Sequence, residues 1–341
     1  MKFIHLADCH LSTRNTYDDD NKGNFINKIR WKSFENIFTS NKDADFALIC
    51  GDLFERDYFS YKDYKYLFNI FENFSKDIYY VTGNHDYIDQ TNEIFLKAKP
   101  SNFHIFMNDN LSFYEKSATR IYGLSYKDRI YDKDFPYELK LDKSFYNILM
   151  IHGNLSNTKS SYLDLDFNKL VALGFDYIGL GHIHKSFIKS NIYNPGSIEP
   201  FDFTDLGDFG YFLNDDGKIE HISSSQMKYN IFDISSEQFK DEEEIIRFVN
   251  DNLSDRINFL RLNFDQADDF DISIIKNSIK SHYIEIKFTN ENTYENELIL
   301  FTNSLLSKFA DKFDRPLNEI EKRAYQIGMD AILRSKKWAY L

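Results

Sequence analysis

The chain has 341 residues, of which 54 are acidic and 41 are basic, so its net charge is −13 at pH 7. Hydrophobic residues make up 42% of the chain, which is enough apolar surface to fold without disulfides, and we expect no extended disorder. A dedicated nucleic-acid-binding protein usually has a basic face, so the charge disfavours that class. Clustered metal-binding carboxylates contribute to the same sum, however, and bound cations would invert the local field. The net charge therefore does not decide what an active site would bind.

Three sequence features bear on the cellular location, namely the N-terminal segment, the length of the apolar runs and the cysteines. The start, MKFIHLADCH, lacks the apolar core of a signal peptide, and no apolar run approaches the ~18 residues that cross a bilayer. Cys9 and Cys50 both lie within predicted buried strands, which argues against a disulfide framework. We therefore expect a cytoplasmic protein without a membrane segment.

Six short apolar runs predict buried strands, because they are rich in Ile, Leu, Phe and Tyr and do not alternate strictly. Helical spacing of apolar residues between them, as in residues 31–38 and 64–71, indicates that strands and helices alternate. An α/β fold is therefore predicted. The strands are expected at Lys2 to Ala7, Phe46 to Cys50, Ile78 to Thr82, Arg120 to Ser125, Asn147 to Ile151 and Tyr177 to Leu180.

The pattern changes near residue 224. A compact β-α-β-α-β unit follows, with strands at Met227 to Ile234, Arg256 to Phe264 and His282 to Phe288 and helices at Glu237 to Leu253 and Ile272 to Ile279. We therefore predict a main domain at 1–224, an accessory (capping) domain at 225–290 and a C-terminal helical segment at 291–341. That segment carries one apolar stripe after Pro316, a residue suited to a helix start. The stripe consists of Leu317, Ile320, Ala324, Ile327 and Ala331.

Side chains that can bind metals or move protons follow five of the six predicted strands. In open α/β sheets ligands bind beyond the carboxyl ends of the strands, so we expect these side chains to lie together. In Asp8-Cys9-His10, strand alternation should direct both ligand side chains to one face and Cys9 to the other. Each motif alone is common turn chemistry, so the prediction depends on the whole set. The set is Asp8, His10, Asp52, Asn84, His85, His152, His182 and His184.

The motifs D-x-H, GD, GNHD, HG and GHIH occur in this order and together resemble the calcineurin-like metallophosphoesterase superfamily over roughly the first 200 residues. The resemblance implies a metallophosphoesterase β-sandwich flanked by helices, with the small α+β domain and the C-terminal helices appended. It also implies two divalent metal ions that share Asp52. One ion would be bound by Asp8, His10, Asp52 and His184, and the other by Asp52, Asn84, His152 and His182.

His85 matches the family's catalytic histidine, which implies that it protonates the leaving oxygen or stabilises its developing charge. Two cations about 3.5–4 Å apart would lower the pKa of a shared water and hold the phosphoryl oxygens. Imidazole and oxygen ligands without a thiolate fit Mn²⁺ best, with Fe or Zn as alternatives. Glu55 departs from the family, where phosphatases have Asp and many Mre11-like nucleases have His. It could hydrogen-bond His85 as an orienting residue or be an exposed loop residue.

The turn Asn194-Pro195-Gly196-Ser197 narrows the resemblance to the SbcD/Mre11-like DNA repair nucleases and the shorter YhaO-like proteins. The order of nuclease, capping domain and partner-binding helices also agrees with that group. It implies a DNA exo- or endonuclease subunit whose C-terminal stripe docks an SbcC/Rad50-like ATPase. A hydrolase of small phosphoesters, which the acidic charge favours, and a non-catalytic assembly subunit are the alternatives. Whether the chain forms a homodimer stays open.

Overall fold

The computed structural model describes residues 1–13, 20–89, 93–155, 160–265, 270–288, 298, 304–313 and 318–334. The chain divides into two compact units, Met1–Met227 and Lys228–Leu341. The first boundary lies close to the expected limit at residue 224. The expected limit at residue 290, as well as Pro316 and Leu317, lies outside the described residues.

The first unit alternates strands and helices over most of its length. In chain order its elements are β1 (Lys2–Leu6), α1 (Asp20–Ser40), β2 (Phe46–Cys50), α2 (Tyr61–Phe74), β3 (Asp77–Val81), α3 (Glu93–Ala98), β4 (Phe103–Ile105), β5 (Ser112–Lys116), β6 (Thr119–Gly123), β7 (Tyr146–His152), α4 (Phe167–Ala172), β8 (Tyr177–Gly181), β9 (Phe187–Lys189), β10 (Ile192–Asn194), β11 (Gly210–Asp215) and β12 (Lys218–Ser223). All six predicted strands are present, and none of their bounds differs from the prediction by more than two residues.

These strands form two six-stranded sheets, ordered β12-β11-β1-β2-β3-β4 and β5-β6-β7-β8-β10-β9. In the first sheet β1 to β4 are parallel, and β11 is antiparallel to β1. In the second sheet β6, β7, β8 and β10 are parallel. Strands such as β2, buried at every residue, read as continuous apolar runs because both faces of the sheet are covered.

One buried cluster joins the inner faces of the two sheets and includes Phe3, Leu48, Ile148 and Met150. The outer face of the first sheet packs on α1 and α2 through residues such as Phe34 and Phe71, and the outer face of the second packs on Leu170 of α4. The two sheets therefore form a sandwich with helices outside it. The predicted fold class, a β-sandwich flanked by helices, is confirmed.

The second unit contains the predicted β-α-β-α-β order. Its elements are β13 (Met227–Ile234), α5 (Glu242–Asp251), β14 (Ile257–Phe264), α6 (Ile272–Ser278), β15 (Tyr283–Phe288), α7 (Leu305–Ala310) and α8 (Glu319–Arg334). The strands form one sheet in chain order, and β14 and β15 are parallel. Helix α5 begins later than predicted because the Asp241 side chain accepts a hydrogen bond from the Glu244 N–H and caps it there. No described helix is both long and apolar enough to cross a bilayer.

Candidate metal centre

The predicted ligands come from strand ends in both sheets of the sandwich. β1, β2 and β3 of the first sheet and β7 and β8 of the second sheet lead into them. Ligand atoms within three overlapping groups lie within 4.8 Å of one another, and each group could hold a metal ion. The groups are Asp8 with His10 and His184, His10 with Asp52 and His85, and Asp8 with Asp52 and His152. The sandwich thus brings together side chains that are up to 176 positions apart in the sequence, from Asp8 to His184.

The backbone places several of these side chains in an unusual conformation. β1 ends at Leu6, and the φ angles of Asp8 and His10 are 49° and 44°. Asp52 and His182, which also follow strand ends, have φ angles of 49° and 99°. Such angles are uncommon for residues other than glycine and cost about 1–3 kcal/mol each, so they occur where the fold imposes them. Asp8 and His10 do meet in one ligand group, as predicted, but a left-handed backbone brings them together instead of strand alternation, because neither residue continues the extended strand.

Three glycines leave the space that His152 occupies between the sheets. A Cβ atom on Gly51 would lie 2.2 Å from His152 Nδ1, and one on Gly181 would lie 3.0 Å from the same atom. A Cβ atom on Gly83 would lie 2.2 Å from Asp52 Oδ1 and 2.8 Å from His152 Nε2. A side chain would collide with His152 at Gly51, with Asp52 at Gly83, and at Gly181 with the Cys50 carbonyl oxygen, which would lie 1.9 Å from its Cβ atom. The glycines of the predicted motifs therefore serve the close approach of the two sheets.

His152 gives the clearest test of whether the centre suits a cation. Its Nδ1 donates to the Cys50 carbonyl at 3.0 Å, since a carbonyl only accepts. Its Nε2 then faces Asp52 Oδ2 at 3.3 Å and Asn84 Oδ1 at 3.1 Å. A neutral Nε2 would present a lone pair to two oxygen atoms, and a proton or a metal ion among the three atoms would satisfy this arrangement. Burial lowers the pKa of His152, but the Asp52 charge outweighs it and raises the pKa to about 9.

His10 gives a second, independent sign. Its Nε2 is buried, has no hydrogen-bond partner among the described atoms, and lies 3.7 Å from Asp52 Oδ2. A buried polar atom without a partner is costly, and a cation bound between the imidazole and the carboxylate would satisfy both. Burial raises the pKa of Asp52, but His152 and His10 outweigh it and keep that carboxylate ionised. The donor set therefore fits divalent metal ions.

Glu55 connects His10 with His85. The His10 Nδ1 lies 2.7 Å from Glu55 Oε1, and the His85 Nδ1 lies 3.0 Å from Glu55 Oε2. Burial raises the pKa of Glu55, but these two imidazoles lower it to about 2. Burial lowers the pKa of His85, but the Glu55 hydrogen bond and the Asp52 charge raise it above the usual value. Glu55 is only 14% exposed, so it is not an exposed loop residue, whereas its contribution to a reaction stays a prediction.

Asp8, His182 and His184 complete the set. Asp8 is fully buried, which raises its pKa to about 6, and both its oxygens accept from the His182 backbone N–H at 3.0 Å. Burial lowers the pKa of His182 to about 4 and that of His184 to about 3, so both rings are neutral at pH 7. A neutral imidazole is the form that binds a metal. The ring of His182 belongs to none of the three groups, although its centroid lies 5.2 Å from that of His152.

Asp86 is a supporting residue that the sequence interpretation passed over. It is fully buried and accepts hydrogen bonds from the backbone N–H groups of Asp52, Leu53 and Gly83 and from the Tyr80 hydroxyl. Its carboxylate therefore ties the loop after β2 to the loop after β3. The available signal was its place in Gly83-Asn84-His85-Asp86, where only the two residues before it were assigned roles.

A sandwich that gathers carboxylate, amide and imidazole ligands at strand ends is typical of metal-dependent hydrolases. The family model of the calcineurin-like phosphoesterases matches residues 1–186. The chain belongs to the calcineurin-like phosphoesterase family. The ligand groups of this chain fit the metal-dependent phosphoester hydrolysis that this family performs.

The individual proteins that the chain resembles share only a small part of its sequence. The chain is 28% identical over 250 residues to YhaO of Bacillus subtilis (strain 168), which is described as an uncharacterized metallophosphoesterase. The match covers 67% of this chain and 59% of that protein, so it leaves much of the relative unmatched. A dimetal phosphatase from Danio rerio is 11% identical with a TM-score of 0.42, covering 62% of this chain and 91% of that one. The TT1561 protein of Thermus thermophilus is 13% identical with a TM-score of 0.39, covering 64% of this chain and 96% of that one.

Proposed function

We propose that the chain is a nuclease subunit that hydrolyses phosphodiester bonds of DNA with two divalent metal ions. The preferred metal is Mn²⁺, with Fe or Zn as alternatives. The observation that carries the hydrolytic part is His152 Nε2, which faces Asp52 and Asn84 oxygens across a gap that suits a cation. One ion would be held by Asp8, His10, Asp52 and His184, and the other by Asp52, Asn84, His152 and His182. When bound, the ions would lower the pKa of a water and offset phosphoryl charge.

His85 is placed to act on the leaving oxygen. Its side chain is 32% exposed, so substrate can reach it, whereas His10 and His152 are almost fully buried. Because Glu55 engages its Nδ1, the Nε2 atom is left to donate a proton to the leaving oxygen. The Glu55 carboxylate favours the protonated ring, which is the form that a general acid needs. A general acid at this position suits a phosphodiester, whose alkoxide leaving group is poor.

The turn after β10 supports the nuclease subgroup. Gly196 has a φ angle of 73°, and a Cβ atom there would lie 2.3 Å from the His184 carbonyl oxygen. The Ser197 N–H donates to the same carbonyl at 3.0 Å. The Pro-Gly-Ser turn that resembles SbcD/Mre11-like nucleases is therefore packed on the backbone of a candidate ligand. The link to DNA depends on that resemblance, because the net charge of −13 favours a small phosphoester instead.

The test of DNA as substrate is cleavage of labelled single-stranded and hairpin DNA with Mn²⁺, measured beside a chromogenic phosphodiester. We expect wild type to cleave both kinds of substrate and His85→Ala to lose both activities. Hydrolysis of the small ester alone would contradict DNA as substrate and favour the small-phosphoester alternative. Loss of neither activity in the variant would point to a contaminating enzyme and favour the non-catalytic alternative.

The proposed partner is an SbcC/Rad50-like ATPase, docked on the apolar stripe of α8. The part of the stripe that lies within α8 is exposed to solvent. The exposed fraction is 83% for Ile320 and 62% for Ile327, and Ala324 and Ala331 are also exposed. Another face of α8 packs on α7, where the Phe309 ring lies against Gly328. An exposed apolar stripe on a helix commonly binds a partner.

The docking proposal is tested by co-purifying the full chain with such an ATPase. We expect the double variant Ile320→Ser with Ile327→Ser to lose the complex. Ile274→Ser is the matched control, because Ile274 is a 49% exposed isoleucine on α6 of the same unit. Equal retention of the double variant and the control would contradict docking through the stripe.

A further inference from the structure

The histidines of the centre are held in different ways. A histidine ring turns easily about its last torsion, so a metal-binding imidazole needs a neighbour that fixes where its lone pair points. The Glu55 carboxylate does this for His10, and the Cys50 carbonyl does it for His152. In the described parts of the chain, no group hydrogen-bonds to the ring of His182 or of His184. The contacts that the described residues make with those two rings are of another kind.

An aromatic ring packs against each of these two imidazoles. Phe201 stacks on His184, with ring centroids 4.7 Å apart and an angle of 20° between the planes. The same ring also makes a T-shaped contact with His10, with centroids 5.0 Å apart. Tyr162 packs on His182, with centroids 4.5 Å apart. Each histidine of the Gly181-His182-Ile183-His184 segment thus has its own aromatic neighbour.

Phe201 is held from the side of α1. The Arg30 guanidinium is fully buried, and its carbon lies 4.2 Å from the centroid of the Phe201 ring. Arg30 donates to the carbonyls of Glu199 at 3.4 Å and Pro200 at 3.2 Å, directly before Phe201. It also donates to the Cys9 carbonyl at 3.3 Å, between Asp8 and His10 in the chain. One buried cation therefore fixes both the backbone that carries Phe201 and the backbone that carries the first two ligands.

The backbone around Tyr162 is held by Ser160 and by Tyr126, which follows β6. The Tyr162 backbone N–H donates to Ser160 Oγ at 3.1 Å, and the next N–H, of Leu163, donates to the Tyr126 hydroxyl at 2.9 Å. The Tyr126 ring in turn contacts His152, with centroids 5.7 Å apart. The segment that carries Tyr162 is therefore anchored beside another candidate ligand. The phenol ring of Tyr162 therefore lies at the centre, against His182.

We propose that Phe201 and Tyr162 are positioning residues, each of which orients one histidine for a different metal ion. Phe201 acts on His184, which groups with Asp8 and His10, and Tyr162 acts on His182, which lies beside His152. The Tyr162 hydroxyl has no part in this, because the contact is made by the ring. The inference rests on the two-metal part of the proposed function and is independent of DNA as substrate.

The test is Mn²⁺ binding by the full chain, which is measured by calorimetric titration and by electron paramagnetic resonance. His184→Ala and His182→Ala first identify which binding step belongs to which ion. We then expect Phe201→Leu to weaken the His184 step about 10-fold and Tyr162→Leu to weaken the His182 step about 10-fold, the low end for residues that support a ligand. Each variant should leave the other step within twofold of wild type. The signal of the coupled Mn²⁺ pair should give way to that of a single ion at intermediate Mn²⁺ concentrations.

Conservative variants separate orientation from general packing. Tyr162→Phe and Phe201→Tyr keep the ring and should bind both ions like wild type. Phe113→Leu is the control, because Phe113 is a 48% exposed ring on β5 and should change neither step. Thermal unfolding checks that each variant folds, and if one leucine variant does not fold, the other decides the outcome.

One result would contradict the positioning role of the two rings, and a different result would contradict the two-metal function on which that role rests. If wild type binds two ions and the leucine variants weaken both steps equally, or neither step, then the rings do not orient individual ligands. If wild type binds fewer than two ions, the proposed two-metal function itself fails.

Discussion

The two walls of the metal centre are built by different means. On the wall from the first sheet, carboxylates hold the site: Glu55 binds two imidazoles, and Asp86 binds the loops after β2 and β3. On the wall from the second sheet, a backbone carbonyl, aromatic rings and the space left by glycines hold His152, His182 and His184. Charge-changing substitutions should therefore damage the first wall most, and size-changing substitutions the second.

The largest effect is expected at His85 on the first wall. His85→Ala removes the proton donor, so kcat for a phosphodiester should fall by about 10²- to 10⁴-fold while metal binding is retained. His104→Ala is a matched control, because His104 also pairs with a carboxylate, that of Asp77 at 2.8 Å, at the strands β3 and β4. Steady-state kinetics of both variants checks this. An unchanged kcat in His85→Ala would remove His85 from the reaction.

Glu55 should give the next largest effect. Glu55→Gln leaves one carbonyl oxygen to accept hydrogen bonds and adds an amide donor, so it cannot serve His10 and His85 as the carboxylate does. Affinity for the ion bound by His10 should fall by about 10- to 100-fold. Calorimetric titration with Mn²⁺ measures this. Wild-type affinity in the variant would mean that His10 is oriented without Glu55.

Asp86 should act mainly on stability. Asp86→Asn places an amide group against backbone donors, and each donor left without a partner costs about 1–3 kcal/mol. Urea unfolding of the metal-free chain should show this loss. Tyr80→Phe, which removes a single donor to the same carboxylate, should cost only about 1 kcal/mol. If both variants unfold like wild type, the two loops are not held by Asp86.

The sequence predicted what depends on local pattern. Continuous apolar runs identified the strands, because strands buried on both faces leave no polar alternation, and β2 was predicted with its observed bounds. The candidate ligands lie together as expected, because parallel strands bring their carboxyl ends to one edge. The roles assigned to those residues stay predictions.

Other features depend on contacts that no local pattern encodes. Strand alternation failed for Asp8 and His10, because the left-handed backbone after β1 is imposed by pairing with the neighbouring loop, where His10 N–H donates to the Asp52 carbonyl at 2.9 Å. The distribution of the ligands over two sheets could not be predicted from the sequence either, since it depends on the order of the strands in each sheet. Phe201 lies far along the chain from His10, and nothing in its own sequence neighbourhood indicates that the two rings touch.

The most direct test of the centre is the number of Mn²⁺ ions that the purified chain binds, measured by calorimetric titration and elemental analysis. A centre that spans both sheets predicts two ions per chain in wild type. Asp52→Asn, which weakens the ligand that both ions would share, should reduce the affinity for both ions together. A single ion in wild type, or a loss confined to one ion in Asp52→Asn, would contradict a shared two-metal centre.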